Sequence, residues 1–208
     1  MQRAQNKSSA KAALFVMLFS FTNTAIAADW SYFTGAKGQR QDTNMWCWAA
    51  TSRLIIRHNK KRTPVQCKLA SRWIAKKDYG DYCCTGGTNE WGRNIPSASR
   101  RAACIKGFNP TVILQHYGAM EKYAAHRNST AGKTGIEKQL RQDTPPIVHI
   151  EWSSTSSHAL SIVSGKFANG TTRYELYNPT GGREWIKRSD LKAYKSVGNW
   201  IGTWHSKK

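Results

Sequence analysis

The cysteines constrain the fold of this chain more than any other feature. There are five of them, at Cys47, Cys67, Cys83, Cys84 and Cys104. An odd number leaves at least one thiol without a partner in any pattern of intrachain disulfides. Four of the five lie between residues 67 and 104, and one stands apart from them. The sequence therefore predicts a cross-linked segment and one separate thiol, provided that the compartment is oxidising.

The N-terminus predicts export into such a compartment. Basic residues, an apolar run and an Ala-x-Ala site follow one another, at Arg3, Lys7 and Lys11, 12–21, and 25–27. This order is typical of a secretory signal peptide, and the apolar run is shorter than the about 20 residues of a membrane span. We expect residues 1–27 to be the signal peptide and residues 28–208 to form a single domain that is periplasmic or secreted. A single N-terminal membrane anchor is the alternative.

Export favours disulfides among the four clustered cysteines. Adjacent Cys83 and Cys84 could bridge each other only through a strained ring, so each is expected to take a separate partner. Two arrangements remain: Cys67 with Cys83 and Cys84 with Cys104, or Cys67 with Cys84 and Cys83 with Cys104. Each bridge would close a loop of roughly 15–20 residues and stabilise the fold by about 3 kcal/mol. Zinc binding is the alternative, although the segment lacks a Cys-x-x-Cys pair.

Cys47 is the thiol left over, and it is expected at the start of a helix. Thr43 or Asn44 can cap that helix, and the segment 49–56 supplies helix formers and an apolar stripe. In the first turn of a helix, free backbone N–H groups and the helix dipole lower the pKa of a thiol. We therefore interpret Cys47 as a candidate nucleophile. A small buried apolar residue is the other interpretation of a lone cysteine.

A thiol nucleophile needs a nearby base, and the base needs an acceptor that orients it. His158 is the candidate base, because it follows the small polar loop 153–157 and begins the apolar run 159–163. The remaining histidines fall in polar basic segments, a turn, a strand or the tail, at His58, His116, His126, His149 and His205.

A predicted hairpin brings His158 beside Asn178. Its strands are expected at 158–167 and 171–178, joined by Ala168, Asn169 and Gly170. A two-residue turn would put His158 and Asn178 on opposite faces of the sheet. A three-residue loop shifts the pairing by one, so that the even-numbered residues of both strands share the more apolar face. We therefore predict the three-residue loop.

The remaining elements predict an α+β fold. A further strand is expected at 146–152, and Thr134 with Glu137 matches a capping box for a short helix that ends near Leu140. Helices and cysteine-rich loops thus come first and an antiparallel sheet follows, which is typical of the α+β class.

These residues resemble a known family. Gln41 stands six residues before Cys47 in a Gln-x5-Cys-Trp-Ala-Ala pattern that resembles the papain-like cysteine proteases. The sequence is similar to the small bacterial branch that includes the plant-pathogen avirulence proteases, through 46–50, 66–70, Cys83-Cys84, His158-Ala159-Leu160 and Asn178-Pro179. The likeness runs from about residue 39 to residue 179.

The resemblance implies a fold and a set of roles. The fold would be papain-like, with an N-terminal helical part that carries the nucleophile packed on a C-terminal antiparallel sheet. Cys47 would be the nucleophile, His158 the base, and Asn178 the residue that orients the imidazole. Gln41, with the backbone amide of Cys47, would form the oxyanion hole. Only about eleven residues separate Ala27 from the motif, so self-inhibition by a propeptide domain is not expected. A separate inhibitor protein or a sealed delivery route is the hypothesis that takes its place.

The predicted function is a secreted thiol hydrolase that cleaves peptide bonds through an acyl-enzyme thioester, without cofactor or metal. A peptidoglycan amidase, a deamidase or a transglutaminase could use the same Cys-His constellation. The Asp-Cys-Ser motif of common cell-wall amidases is missing here. A non-catalytic binding module is the third possibility, but none of the four site residues is lost.

The basic composition predicts attraction to anionic surfaces. The chain has 32 Lys and Arg against 12 Asp and Glu, and its formal net charge of +20 would fall to +17 without residues 1–27. The basic clusters at 57–62, 100–101 and 187–188 do not alternate with aromatic residues as in nucleic-acid-binding proteins. We expect a protein or peptide substrate, no nucleic acid, a monomer, and an attraction to anionic cell envelopes that weakens with salt. A charged face that merely keeps the protein soluble is the alternative.

Overall fold

The structure is a computed structural model that describes residues 29–76, 80–125 and 132–208. The predicted signal peptide, residues 1–27, lies outside the described residues. Within the described ranges, no helix is both long enough and apolar enough to cross a membrane.

The first half of the chain is mostly helical. It contains β1 (Trp30–Phe33), α1 (Cys47–Lys60), α2 (Gln66–Trp73), a 3-10 turn (Ala98–Arg100), α3 (Arg101–Cys104) and α4 (Pro110–His116). Pro110 stands at the first position of α4, where its missing N–H costs nothing, and the Asn109 side chain caps the helix by accepting from the Thr111 amide at 2.9 Å.

The second half forms an antiparallel sheet. Its elements are β2 (Met120–Ala125), α5 (Gly132–Arg141), β3 (Ile147–Ser153), β4 (Ser156–Ala168), β5 (Thr171–Asn178), β6 (Gly182–Lys187), α6 (Arg188–Leu191), β7 (Ala193–Tyr194) and β8 (Gly198–Ser206). The strand order is β2-β8-β3-β4-β5-β6, while β1 pairs with β4 and β7 pairs with β8. Helices first and an antiparallel sheet second make this an α+β fold, as predicted.

Two apolar layers cover the two faces of the sheet. On one face, α1, α2 and α4 pack through residues such as Leu54, Ile55 and Ile113 against Val163 and Trp204. On the other face, α5 and α6 pack against alternate residues of β3, β4 and β5, including Val148, Leu160, Ile162, Tyr174 and Leu176. Helix α1, which begins at Cys47, therefore lies against β4, the strand that carries His158.

The structure contains the second of the two predicted disulfide arrangements. Cys67 bonds to Cys84 and Cys83 bonds to Cys104, so the four thiols form disulfides rather than a zinc site. Cys47 is the free cysteine of the described residues. Both bridges hold the loops that follow α2 against α1, because Cys67, Cys83 and Cys104 are fully buried in the helical layer.

The predicted three-residue hairpin loop is wrong. Ala168 pairs directly with Thr171, so the turn contains only Asn169 and Gly170. Both residues have positive φ, 50° and 73°, as the first and second central positions of a type I′ turn require. An Asn-Gly pair adopts these angles at little cost, which explains why the shorter turn forms.

A β-bulge restores the register that the longer loop was meant to give. Ile162 pairs with Leu176, whereas Ser164 pairs with Glu175, so Val163 is an extra residue in β4. The carbonyl oxygen of Val163 accepts from the amide and the hydroxyl of Thr34, at 3.1 and 2.9 Å. The bulged carbonyl is therefore satisfied by the segment that follows β1.

Two predicted helix starts differ from the structure. Helix α1 begins at Cys47 with Trp46 as its N-cap, and neither Thr43 nor Asn44 caps it. Helix α5 begins at Gly132, so Thr134 lies inside the helix instead of at the predicted capping box. At α1 tertiary packing sets the first turn, because the buried side chain of Trp46 fixes the entry to the helix.

Candidate active site

Two tryptophans hold the ends of the first turn around Cys47. The indole of Trp46 donates to the carbonyl oxygen of Cys104 at 2.9 Å, and the indole of Trp48 donates to that of Lys106, also at 2.9 Å. Cys104 is part of the Cys83–Cys104 disulfide, and Lys106 follows it by two residues. The position of Cys47 is thus tied to the disulfide-linked loops on both sides.

The electrostatic environment of Cys47 differs from the sequence expectation. Burial raises the pKa of the thiol, and N–H groups of Ala159, Trp48 and Cys47 that point at the sulfur offset part of this effect. The predicted lowering by the helix start is therefore wrong in sign, because desolvation of the thiolate outweighs the helix amides. The resting form is a neutral thiol in contact with the backbone of β4.

His158 and Asn178 are joined directly. The Nε2 atom of His158 lies 3.0 Å from the Oδ1 atom of Asn178, and both side chains are buried. Burial lowers the pKa of His158, and the hydrogen bond that its N–H donates to Asn178 raises it by less, so the pKa lies below its ordinary value. The imidazole is therefore neutral near neutral pH.

This hydrogen bond determines which nitrogen of His158 can act as a base. An amide oxygen only accepts, so Nε2 of His158 must carry the proton that it donates to Asn178. In a neutral imidazole the other nitrogen, Nδ1, then has a free lone pair. Nδ1 is thus the atom available to take a proton from a neighbouring thiol.

Asn178 has further hydrogen-bond partners that the sequence did not predict. Its Oδ1 atom also accepts from the amide and the hydroxyl of Thr180, at 3.0 and 2.7 Å. Its Nδ2 atom donates to the hydroxyl of Tyr194 at 3.3 Å, and that hydroxyl donates to Glu184. Thr180 follows Asn178 by two residues and could have been suspected as a turn residue, whereas Tyr194 and Glu184 have no local signal.

A cavity of about 360 Å³ opens beside the thiol and the imidazole. Its walls are Cys47, Trp48, Gly107, Phe108, Asn109, Pro110, Tyr123, His149, Ser157, His158, Ala159 and Trp204. Most of these side chains are aromatic or apolar, and the hydroxyl of Tyr123 lies 3.2 Å from Nδ1 of His149. The sequence placed His149 in a strand but gave no reason to put it in the cavity.

The polar pair in this cavity depends on a glycine. Tyr123 lies on β2 and His149 on β3, which pair with β8 on its two sides, and Gly202 stands between them on β8. A Cβ atom at Gly202 would come within 2.1 Å of the Tyr123 hydroxyl. The absence of a side chain at Gly202 therefore lets the phenol reach His149.

Gln41 lies apart from this cavity. It contributes to a second cavity, of about 500 Å³, between the 40–44 segment, the 89–91 segment and Pro179-Thr180. Its backbone amide donates to the carbonyl oxygen of Pro179 at 3.0 Å. Its side chain is 7% exposed, and the Oε1 atom has no hydrogen-bond partner among the described residues.

The described residues offer no arrangement for a metal ion. Among them, no group of three or more His, Cys, Asp or Glu side chains is placed to hold one.

Comparison with known proteins adds little at the level of sequence. No protein-family model matches the chain, and no curated protein matches it. Among solved structures, it is similar to one from a study of the limited antibody cross-reactivity between the mite allergens Blo t 1 and Der p 1. That similarity has a TM-score of 0.47 and 13% identity, over 89% of this chain and 73% of the other. A likeness this distant assigns no role to any residue.

Proposed function

We propose that this protein is a thiol hydrolase of the papain-like type that cleaves peptide bonds. One observation carries the proposal: the free thiol of Cys47 and the Asn178-bonded imidazole of His158 line the same cavity. A nucleophile, a base and an orienting acceptor in this order are the parts that covalent acyl transfer requires. The Gln-x5-Cys-Trp pattern of the sequence supports the papain-like assignment.

The first half of the proposed reaction starts from a neutral thiol and a neutral imidazole. The Cys47 thiol gives its proton to Nδ1 of His158 as the sulfur attacks the carbonyl carbon of the substrate. The carbon–nitrogen bond then breaks, and the imidazolium returns the proton to the leaving amine. The acyl group remains on Cys47 as a thioester.

The second half regenerates the enzyme. Water attacks the thioester while Nδ1 of His158 takes one of its protons, and the sulfur leaves and recovers that proton. Throughout both halves, Oδ1 of Asn178 accepts from Nε2 and stabilises the transient imidazolium. No cofactor takes part in this proposal.

Gln41 is proposed as a donor to the oxyanion. In this role the Nε2–H of Gln41 would donate, because the amide oxygen only accepts. The Gln-x5-Cys pattern of the sequence supports the role, and the loop that follows Gln41 leads to Trp46 and Cys47. Because it does not line the cavity of Cys47 in the resting structure, the proposal needs a small movement of the 41–46 loop toward the bound carbonyl.

The setting and the partners are also proposals. We place the protein in the periplasm or outside the cell, and the two disulfides support an oxidising compartment. A protein or peptide is the proposed substrate, with a separate inhibitor protein as the proposed means of control.

The test uses residues 28–208 in oxidised form on a denatured protein substrate. Wild-type protein should cleave it, Cys47→Ala and His158→Ala should not, and His116→Ala should be unaffected. His116 is an exposed histidine at the end of α4, outside the cavity, and it serves as the matched control. Retained activity in Cys47→Ala would refute the mechanism.

Mass analysis of the products separates the alternatives. Peptide fragments would support a protease, whereas an increase of about one dalton without chain cleavage would identify a deamidase. Incorporation of an added amine would identify a transglutaminase. Activity only on peptidoglycan stem peptides would identify a cell-wall amidase.

A further inference from the structure

We propose that Tyr194 and Glu184 are positioning residues that hold the amide of Asn178 in one orientation and so set the tautomer of His158. The hydroxyl of Tyr194 lies between the two partners: Nδ2 of Asn178 is 3.3 Å away, and Oε1 of Glu184 accepts from the hydroxyl on its other side. Tyr194 is 1% exposed, so water does not compete for its hydroxyl.

The direction of each hydrogen bond follows from the chemistry of its partners. An ionised carboxylate can only accept, so the hydroxyl of Tyr194 must donate to Glu184. The same oxygen then has only lone pairs left, and it can face only a donor. The NH₂ end of the Asn178 amide is a donor and the oxygen end is not, so the NH₂ end must face Tyr194.

The orientation of the Asn178 amide determines the tautomer of the His158 imidazole. With Nδ2 held toward Tyr194, Oδ1 of Asn178 faces His158 and accepts from its Nε2–H. The chain of donors and acceptors from Glu184 to His158 therefore leaves Nδ1 as the unprotonated nitrogen. In the flipped amide, the NH₂ end would face Nε2 and favour the tautomer that carries its proton on Nδ1.

Thr180 restrains the same amide from its other end. Its backbone N–H and its hydroxyl both contact Oδ1 of Asn178, at 3.0 and 2.7 Å. The backbone N–H can only donate, so it also requires an oxygen at this position. Tyr194 and Thr180 thus select the same orientation, one from the nitrogen end and one from the oxygen end.

Two further observations support the role of Tyr194. Burial and the bond to Glu184 raise the pKa of the phenol, so it stays protonated and able to donate. The ammonium of Lys195 lies 3.9 Å from the other oxygen of Glu184, so this carboxylate has a cation beside it as well as the phenol. The hydroxyl of Tyr194 therefore keeps its direction over the neutral pH range.

A matched control is available in the same apolar layer. Tyr174 is also buried, and its hydroxyl has no hydrogen-bond partner among the described residues. Tyr174→Phe and Tyr194→Phe remove the same atom from the same side of the sheet. Only Tyr194→Phe should change the tautomer of His158.

The decisive measurement is independent of activity. Nitrogen-15 NMR of labelled histidine reports the tautomer and the pKa of His158 in the full mature chain. In wild type we expect the Nε2–H tautomer. In Tyr194→Phe we expect a larger share of the Nδ1–H tautomer and a lower pKa, because the hydrogen bond that His158 donates to Asn178, which raises the pKa, is weakened. Tyr174→Phe should match wild type.

The kinetic readout rests on the proposed function. We expect kcat to fall about tenfold in Tyr194→Phe, with KM unchanged, which corresponds to roughly 1.4 kcal/mol at the transition state. Inactive wild-type protein would refute the proposed function and leave the NMR result to decide the present inference.

A second pair of variants covers the case in which Tyr194→Phe does not fold. Glu184 is only partly buried, so substitutions there are tolerated more easily. Glu184→Leu removes the acceptor and should reproduce the tautomer shift, while Glu184→Gln keeps an acceptor oxygen and should largely rescue it. An unchanged tautomer in both Tyr194→Phe and Glu184→Leu, or the same shift in Tyr174→Phe, would overturn the inference.

Discussion

The indole of Trp152 lies almost parallel to the imidazole of His158, with ring centroids 5.3 Å apart and planes inclined by 18°. Trp152 itself is 45% exposed, so it shields the imidazole on the side that faces solvent. Gly198 on the neighbouring strand makes room for the indole, because a Cβ atom there would come within 2.5 Å of it.

Removal of this indole should shift the pH dependence of activity. Burial is the main reason why the pKa of His158 lies below its ordinary value of 6.5. Trp152→Ala exposes the imidazole, so its pKa should rise toward that value and the imidazole should become protonated at higher pH. The acidic limb of kcat/KM against pH should therefore move to higher pH. A limb that moves to lower pH would mean that the indole mainly stabilises the imidazolium.

The raised pKa of Cys47 predicts a slow reaction with alkylating agents. Since only the thiolate is alkylated, the rate at neutral pH should be low and should increase with pH beyond the ordinary thiol pKa of about 8.5. Iodoacetamide labelling of the mature protein between pH 5 and 10, read by mass spectrometry, gives this profile. A rate that is high and constant from pH 5 to 8 would instead indicate a thiolate–imidazolium pair at rest.

Loss of the Cys83–Cys104 bridge should affect both stability and activity. The bridge spans 21 residues, and its removal in Cys83→Ala/Cys104→Ala should cost about 3 kcal/mol in the free energy of unfolding. Trp46 is bonded to the carbonyl oxygen of Cys104, so the first turn of α1 should also loosen. Denaturant titration measures the first effect and kcat the second.

The Cys67–Cys84 bridge gives the comparison. It spans 17 residues and has no such bond to Trp46, so Cys67→Ala/Cys84→Ala should lose similar stability but less activity in the folded protein. Equal losses of kcat in the two double variants would show that the hydrogen bond of Trp46 to Cys104 makes no particular contribution to activity.

Three cations form a row across the outer strands of the sheet. Lys166 is directly opposite Arg173, and Arg173 is directly opposite Lys187. None of the three pairs with a carboxylate among the described residues. Like charges at directly opposite positions destabilise a sheet. Arg173→Glu should therefore stabilise the protein by about 1 kcal/mol at low salt and by less at high salt.

Arg183 on the same face provides the contrast. Its guanidinium lies 3.2 Å from the carboxylate of Glu175 and 2.9 Å from the carbonyl oxygen of Ala36. Arg183→Glu should lower the melting temperature, where Arg173→Glu raises it. A lower melting temperature for Arg173→Glu as well would mean that repulsion along the row is unimportant.

Local patterns predicted much of the fold and of the candidate site. The strand at 171–178 was placed with its true limits. His158 was predicted beside Asn178, but through a three-residue loop, where the structure has a two-residue turn and a bulge at Val163. The number of disulfides and the free thiol followed from counting cysteines, although the choice of Cys67 with Cys84 needed the three-dimensional arrangement. Such features depend on periodicity and composition, which a sequence displays directly.

The features that escaped prediction depend on burial. The sign of the pKa shift of Cys47 depends on how much protein surrounds the sulfur, and the first turn of a helix does not reveal this. The contact of Tyr194 with Asn178 joins residues whose strands, β7 and β5, are not neighbours in the sheet. The place of Gln41 outside the cavity of Cys47 likewise depends on the path of a loop.

In the hairpin that carries His158 and Asn178, the length of the turn and the bulge together decide which side chains share a face of the sheet. Its short turn and the extra residue at Val163 are two single-residue offsets that cancel. Deletion of Val163 would place Ser164 next to Ile162, so Ile162 would still lie opposite Leu176 and His158 would stay on the face of Asn178. The bulge therefore takes up the one residue by which the segment between His158 and Asn178 exceeds a regular hairpin with a two-residue turn. A hairpin that is one residue shorter in β4 can keep this pair without any bulge.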